Sequence, residues 1–258
     1  MTRLANGKKV VVCMIAYRAE KTVEKTYRAI PLDWVDEVIL CDDGGGDRTA
    51  EISRSLGIKT IVHEVNRGYG ANQKTCYNEA LKDGADIVVM LHADYQYDPS
   101  LIPEMVRPIV EGRADATFGS RMAVKRNALK GGMPIWKFIP NIVLSLVENS
   151  VFRLGLSEYH TGYRAYSRKV LETIPFNDNS DGFMFDAEVF PQLRIGKFRV
   201  AEVAIPTRYF KEASSVNFKS SVKYGLNSLR VVVKYILYKL GIKKFPIFEM
   251  EGNKAIKQ

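Results

Sequence analysis

The chain has 258 residues, a net charge of +9, 46% hydrophobic residues and 26% charged ones. That balance excludes a disordered or fibrous chain and leaves enough apolar material for a real core. The basic surface suits nucleic acid, membrane phospholipid or a phosphorylated substrate, yet no run of like charges forms a nucleic-acid-binding tail.

Apolar runs and turn residues alternate from the start. Val10 to Ala16 predicts a first buried strand, and Thr22 to Ile30 a helix. Glu37 to Cys41 is a second strand, ending in Asp42-Asp43-Gly44-Gly45-Gly46-Asp47. Asp47 can cap a helix over Thr49 to Leu56. Lys59 to Glu64 is a third strand, Asn66 to Gly70 a loop and Ala71 to Lys82 a helix. Ile87 to Pro99 (IVVMLHADYQYDP) is a fourth strand that runs into polar residues, with Asp98 before Pro99 starting the next helix, to Glu111. Ala114 to Gly119 is a fifth strand, followed by Ser120-Arg121.

Strand and helix alternating at this spacing predict an α/β fold with a mostly parallel central sheet and helices on both faces. From Met122 the texture changes. Ala123 to Pro134 reads as a basic, Gly-rich mobile loop, and Ile135 to Leu154 as an apolar helix interrupted near Pro140. Gly162 to Ser167 predicts a short strand, Phe183 to Ile195 a helix, Lys197 to Ile205 a half-buried strand and Thr207 to Asn217 a polar loop. Ser220 to Leu240 is a basic amphipathic helix. The later half is read as extending the first.

Three acidic clusters fall at strand ends: Glu20, Asp42 with Asp43, and Asp94 with Gln96. In open α/β sheets that edge binds ligands. If the chain stays extended, His92, Asp94 and Gln96 share one side and can hold a divalent cation whose shell substrate phosphates complete. For Asp42 and Asp43 an Asx-type turn competes evenly with a ligand role. The three glycines serve turns and phosphate approach equally. Neither GxGxxG after the first strand nor a Walker A lysine is present. Cys13, Cys41 and Cys76 lack disulfide or zinc spacing, which suits a reducing cytoplasm. The first residues lack the apolar core of a signal peptide. No stretch is long and apolar enough to be expected to span a membrane.

VVCMIAYRAE, VILCDDGGGDRTAEI, NRGYGANQKTCYNEAL, VMLHADYQYDP, ATFGSRM, TGYRAYSRKVL and GFMFDAEVF together resemble glycosyltransferase family 2. The set is most similar to the dolichol- or polyprenol-phosphate mannosyltransferase branch. The resemblance implies a GT-A fold, a nucleotide-sugar donor linked to GDP or UDP, a divalent metal (Mg or Mn) and inversion at the sugar. It implies that Tyr17, Glu20, Asp42, Asp43, Gly70 and Lys74 contact the nucleotide sugar, and that Asp94 and Gln96 serve the metal. His92 stands where the family has its first metal aspartate, and Ile15, Arg18 and Ala19 depart from the family's first loop. Imidazole favours Mn over Mg. Arg121 matches an arginine that faces the acceptor phosphate. Residues 1–215 are then one catalytic domain, with 1–122 a nucleotide-binding half and 123–215 an acceptor half; 216–258 are the basic helix and tail.

The expected activity is hexosyl transfer to a polyprenyl phosphate. Arg121, Lys137, Arg208 and Lys211 are the candidate cations for that phosphate. Transfer to a hydroxyl of a glycan or glycolipid instead needs a general base, for which Asp186 is the candidate and Glu188 the second. A non-catalytic nucleotide-sugar-binding relative is the remaining reading. Arg164 and Arg168 are expected to be solvated, and His63 and His160 to be structural. The expected location is the cytoplasm, peripheral on the inner membrane face, with no nucleic-acid partner.

Overall fold

The computed structural model describes residues 5–206 and 218–250. In chain order the elements are β1 (Val10–Ala16), α1 (Val23–Arg28), β2 (Glu37–Asp42), α2 (Thr49–Ser55), β3 (Lys59–Val62), α3 (Tyr69–Lys82), β4 (Ile87–His92) and α4 (Ile102–Val110). They continue with β5 (Ala116–Ser120), α5 (Lys125–Lys130), α6 (Ile135–Phe152), β6 (Arg164–Ser167), α7 (Arg168–Thr173), α8 (Phe185–Ile195), β7 (Val200–Ala204) and α9 (Phe218–Lys239).

Among the described residues the strands form one sheet in the order β3-β2-β1-β4-β6-β5-β7. All adjacent pairs are parallel except those of β6, which runs antiparallel to both β4 and β5. Because β6 lies between β4 and β5, the later half of the chain is woven into the sheet.

The two-residue period of a strand splits the apolar runs between two cores. Val11, Cys13 and Ile15 of β1 and Val88 and Met90 of β4 point into one, with Tyr77 of α3, Phe152 of α6, Phe190 of α8 and Val231 of α9. Val10, Val12 and Met14, with Ile87, Val89 and Leu91, point into the other, against Ile102, Met105 and Ile109 of α4. Continuous apolar strands are therefore what burial on both faces demands.

Two expectations about the later half are corrected. Residues 125–130 are helical, because Ala128 packs with Met122 and Met133 and against Phe138 and Ile142. Pro140 does not break α6, which runs through Ile135–Phe152. Pro140 and Trp136 are both exposed, so water can reach the turn carbonyl that lacks its donor. The expected loop Thr207–Asn217 lies outside the described residues.

Candidate active site

Every strand of the sheet except β6 ends on one edge, since β5 and β7 run with β4. Ala16 stands beside Asp42 and Ile15 beside His92 in the strand registers. Arg121 follows β5 directly, and the Gly162 segment enters β6 at the same edge. The α3 side chain Asn72 ties this edge together, donating to the carbonyls of Ala16 (3.2 Å) and Cys41 (3.0 Å).

On the β2 side, Asp42 is buried and accepts from the Gly45 N–H at 3.1 Å. Burial pushes its carboxyl up, and the Gly45 bond pulls partly back. A Cβ at Gly45 would stand 2.8 Å from the Arg18 nitrogen and 3.0 Å from Asp42 Oδ1, so the glycine permits this close approach. Asp43 is spent on shaping the next loop. It accepts from the Arg67 and Gly68 N–H groups, both at 2.9 Å, and contacts His63 Nδ1 at 2.6 Å. Asp42 therefore closes its loop onto the Gly45 N–H, three residues on, and not through an Asx turn onto Gly44. Tyr17 is exposed beneath the Arg18 guanidinium, and Glu20 accepts from the Arg48 N–H at 3.2 Å. Asp47 accepts from the Thr49 N–H at 3.1 Å, at the start of α2.

Gly70 and Lys74 bind the chain's own 179–182 segment. The Gly70 N–H donates to Asp181 O at 2.6 Å, and a Cβ there would meet Ser180 O at 2.2 Å. Lys74 Nζ reaches Asn179 O and Asp181 Oδ1. These two residues therefore seat the segment before α8.

The chain does not stay extended beyond β4. Tyr95 has φ +60°, and Asp94 Oδ1 accepts from the Gln96 N–H at 3.0 Å, closing a turn. Lys25 Nζ sits over the Tyr95 ring at 4.2 Å, and a shallow groove between α1 and this turn is lined by Glu20, Glu24, Lys25 and Arg28. His92 turns toward the aromatic interior. It lies edge-on to Tyr69 and Tyr97, with Nε2 3.1 Å from the Tyr69 hydroxyl. Tyr69 donates to Asp186 Oδ2 at 2.9 Å, so its oxygen accepts from His92 Nε2–H. The imidazole is held in its Nε2–H form, and burial keeps it below its ordinary pKa. Among the described residues no three His, Cys, Asp or Glu side chains make a protein-only metal cage. Asp94 with Gln96 fits the other mode, in which one carboxylate and substrate phosphates share the ion. His92 could join only through Nδ1, with Tyr69 fixing its tautomer.

Asp186 is buried and fully engaged. Gln73 Nε2 donates to its Oδ1 at 3.0 Å, and Arg164 Nη2 lies 3.4 Å from Oδ2. The expectation of a solvated Arg164 is wrong. The residue is fully buried between the Phe118 and Phe190 rings, at 5.4 and 5.0 Å. Arg168 is likewise tied down, to the Ala85 and Leu81 carbonyls and to Glu172. Glu188 is buried and accepts from the Ser180 N–H at 2.7 Å.

Arg121 clasps Glu158. Its backbone N–H donates to Oε2 at 2.7 Å and its Nε to Oε1 at 3.0 Å, while Nη2 reaches Oε1 and His160 O. Asn141 Nδ2 adds a bond to Oε1 at 2.8 Å. Burial would raise the Glu158 carboxyl, but the Arg121 charge and these donors hold it below the usual range. Lys137, on the first turn of α6, is lowered by burial and by the Arg121 charge, which puts the two cations in one field. Arg208 and Lys211 lie outside the described residues. Sequence reasoning missed Glu158, Tyr69 and Gln73; the only signal was their place inside the quoted segments or beside them.

The model of the family described as glycosyl transferase family 2 matches residues 11–175. The chain is 27% identical over 222 residues to a UDP-N-acetylglucosamine–dolichyl-phosphate N-acetylglucosaminyltransferase of Methanococcus voltae, covering 78% of this chain and 86% of that one. It is 29% identical over 172 residues to a dolichyl-phosphate hexose transferase of Haloferax volcanii, covering 66% and 69%. Among solved structures, glucosyl-3-phosphoglycerate synthase from Mycobacterium tuberculosis, in complex with Mn2+, UDP and phosphoglyceric acid, superposes with a TM-score of 0.67 at 20% identity, covering 94% and 82%. The architecture is the GT-A fold that the resemblance implied.

Proposed function

The chain belongs to glycosyl transferase family 2, and on that premise we propose that it moves a hexose, with inversion, from a nucleotide sugar to a polyprenyl phosphate at a membrane surface. The observation that carries this reading is the single sheet edge where Asp42 closes β2, the Asp94 turn follows β4 and Arg121 follows β5. Relatives named for dolichyl-phosphate acceptors support the acceptor class.

In this reading Asp42 and the Gly44–Gly46 turn take the nucleoside, and Asp94 with Gln96 hold a divalent ion against the diphosphate. That ion supplies charge stabilisation to the departing nucleoside diphosphate. The acceptor phosphate, oriented by Arg121 and Lys137, is already anionic and attacks the anomeric carbon without a strong base. The state of Asp186 favours this acceptor over a hydroxyl, since a carboxylate paired with Arg164, Tyr69 and Gln73 is poorly placed to take a proton. Asp186 is assigned a positioning role, holding Tyr69 and through it His92.

The test offers UDP- and GDP-sugars with Mn or Mg to two short-chain acceptors, a prenyl phosphate and the matching prenol. Sugar transfer to the phosphate alone supports the proposal. Transfer to the alcohol alone, or no transfer from any donor, overturns it.

A further inference from the structure

Two helices carry apolar side chains that the domain leaves uncovered. α6 buries Asn141, Ser145, Glu148 and Phe152. Its opposite face turns Ile135, Ile139, Val143 and Leu146 outward, each more than half exposed. α9 buries Ser228, Val231, Val232 and Tyr235. Opposite them, Val222, Leu226, Leu229, Val233, Ile236 and Leu240 recur at helical spacing as an outward stripe, from 37% to 66% exposed.

The stripes look out from the same side of the molecule. α6 and α9 touch each other, and a Cβ at Gly225 of α9 would sit 3.2 Å from Leu144 of α6. Both rest on one core, where the Phe152 and Tyr235 rings meet at 5.4 Å. Folded monomers seldom leave a patch of this kind facing water.

Charge identifies what covers it. α9 contains no Asp or Glu, and Lys223 and Arg230 flank the stripe. Lys243 and Lys244 follow it beside the exposed Ile242. The sole acid of α6, Glu148, is buried. A second copy of this chain would bring the same cations and no exposed carboxylate from these helices. No helix among the described residues is long and apolar enough to cross a membrane.

We propose that the joint outer face of α6 and α9 beds into the headgroup layer of an anionic phospholipid bilayer, with the apolar stripes inward and Lys223 and Arg230 against lipid phosphates. This deepens the lipid-acceptor reading and draws its purpose from it. α6 opens with Trp136, 41% exposed, next to Lys137, which shares the field of Arg121. The helix that meets the lipid therefore begins at the site assigned to the acceptor phosphate, which sets that site at headgroup depth.

The test is co-sedimentation of the full chain with vesicles, without donor or acceptor. One set is phosphatidylcholine alone, and the other carries about a third phosphatidylglycerol. The chain is expected to pellet with the anionic vesicles and to release as salt rises toward about 0.5 M. The double variant Val143→Asp/Val233→Asp should weaken binding by roughly tenfold or more, and Lys223→Glu/Arg230→Glu should abolish the preference for anionic lipid. Both pairs are exposed, so an unchanged melting transition verifies folding. Three results overturn the proposal: no binding to anionic vesicles, binding that the aspartates leave intact, or a dimer in light scattering that the aspartates dissolve while vesicles bind nothing. Failure of sugar transfer leaves this surface untouched, and failure here leaves the donor chemistry untouched.

Discussion

Arg121 donates to Glu158 from two places at once, its backbone N–H at 2.7 Å and its Nε at 3.0 Å. The pair fixes the residue after β5 before any acceptor arrives, with the carboxylate completely buried and the Arg121 side chain 19% exposed. A cation held this way is preorganised for a phosphate, at the expense of part of its charge.

Glu158→Gln removes the counterion and should cost about 3 kcal/mol in urea unfolding, the low end for breaking a buried pair because Arg121 retains some exposure. The Glu158 carboxyl lies below its ordinary value in the fold. Its contribution is thus present above the unfolded pKa and fades as pH falls through the depressed folded one. The cost of the substitution should shrink with acidification over that range. A cost that is constant with pH would mean the pair is not ionic.

Beneath α9, His160 Nε2 lies 3.3 Å from Glu148 Oε2. Burial pushes Glu148 up to about 8 and His160 down to about 4, so at neutral pH a carboxylic acid faces a neutral imidazole. A carboxyl whose folded pKa is raised loses stability as pH climbs from the unfolded value toward the folded one. Glu148→Gln should therefore be close to neutral near pH 5 and stabilising by about 2–4 kcal/mol near pH 9. Equal denaturant midpoints for the two proteins near pH 9 would contradict this.

Asp186→Asn separates positioning from proton transfer. Loss of the charge beside buried Arg164 should destabilise by about 3–5 kcal/mol. Turnover onto a phosphate acceptor, measured on protein shown to be folded, should fall by roughly tenfold or less. A loss of about a hundredfold or more would instead mark Asp186 as the base.

Gly162→Ala probes the His92 placement. The added Cβ would stand 2.6 Å from His92 Nε2, displacing the ring from Tyr69. Strain of about 1–3 kcal/mol follows, and the His92 proton resonance in NMR should titrate closer to its ordinary pKa. An unshifted titration would mean that the ring does not occupy this position.

The parallel strands and their two-sided burial were legible because unbroken apolar runs such as Val10–Ala16 and Ile87–Leu91 leave few alternatives. Charge partners were not. Arg164 looked solvated because a lone arginine between small and aromatic residues gives no local sign of Asp186, 22 residues on. Arg121 was visible as a motif residue, but Glu158 is 37 residues away and is brought to it by β6 folding back between β4 and β5. The extended reading of His92, Asp94 and Gln96 failed at Tyr95, whose positive φ turns the chain without a glycine to announce it.

The proposed donor site depends on the Asp94 turn holding a metal-bound nucleotide sugar. Thermal denaturation of the wild type and of Asp94→Ala, each with UDP- and GDP-sugars and Mn or Mg, tests it directly, because a ligand that binds only the folded state raises its melting temperature. The wild type should be stabilised by one donor class only when metal is present, and Asp94→Ala should lose that response while melting normally alone. An equal response in the variant, or none from the wild type with any donor, would contradict the account.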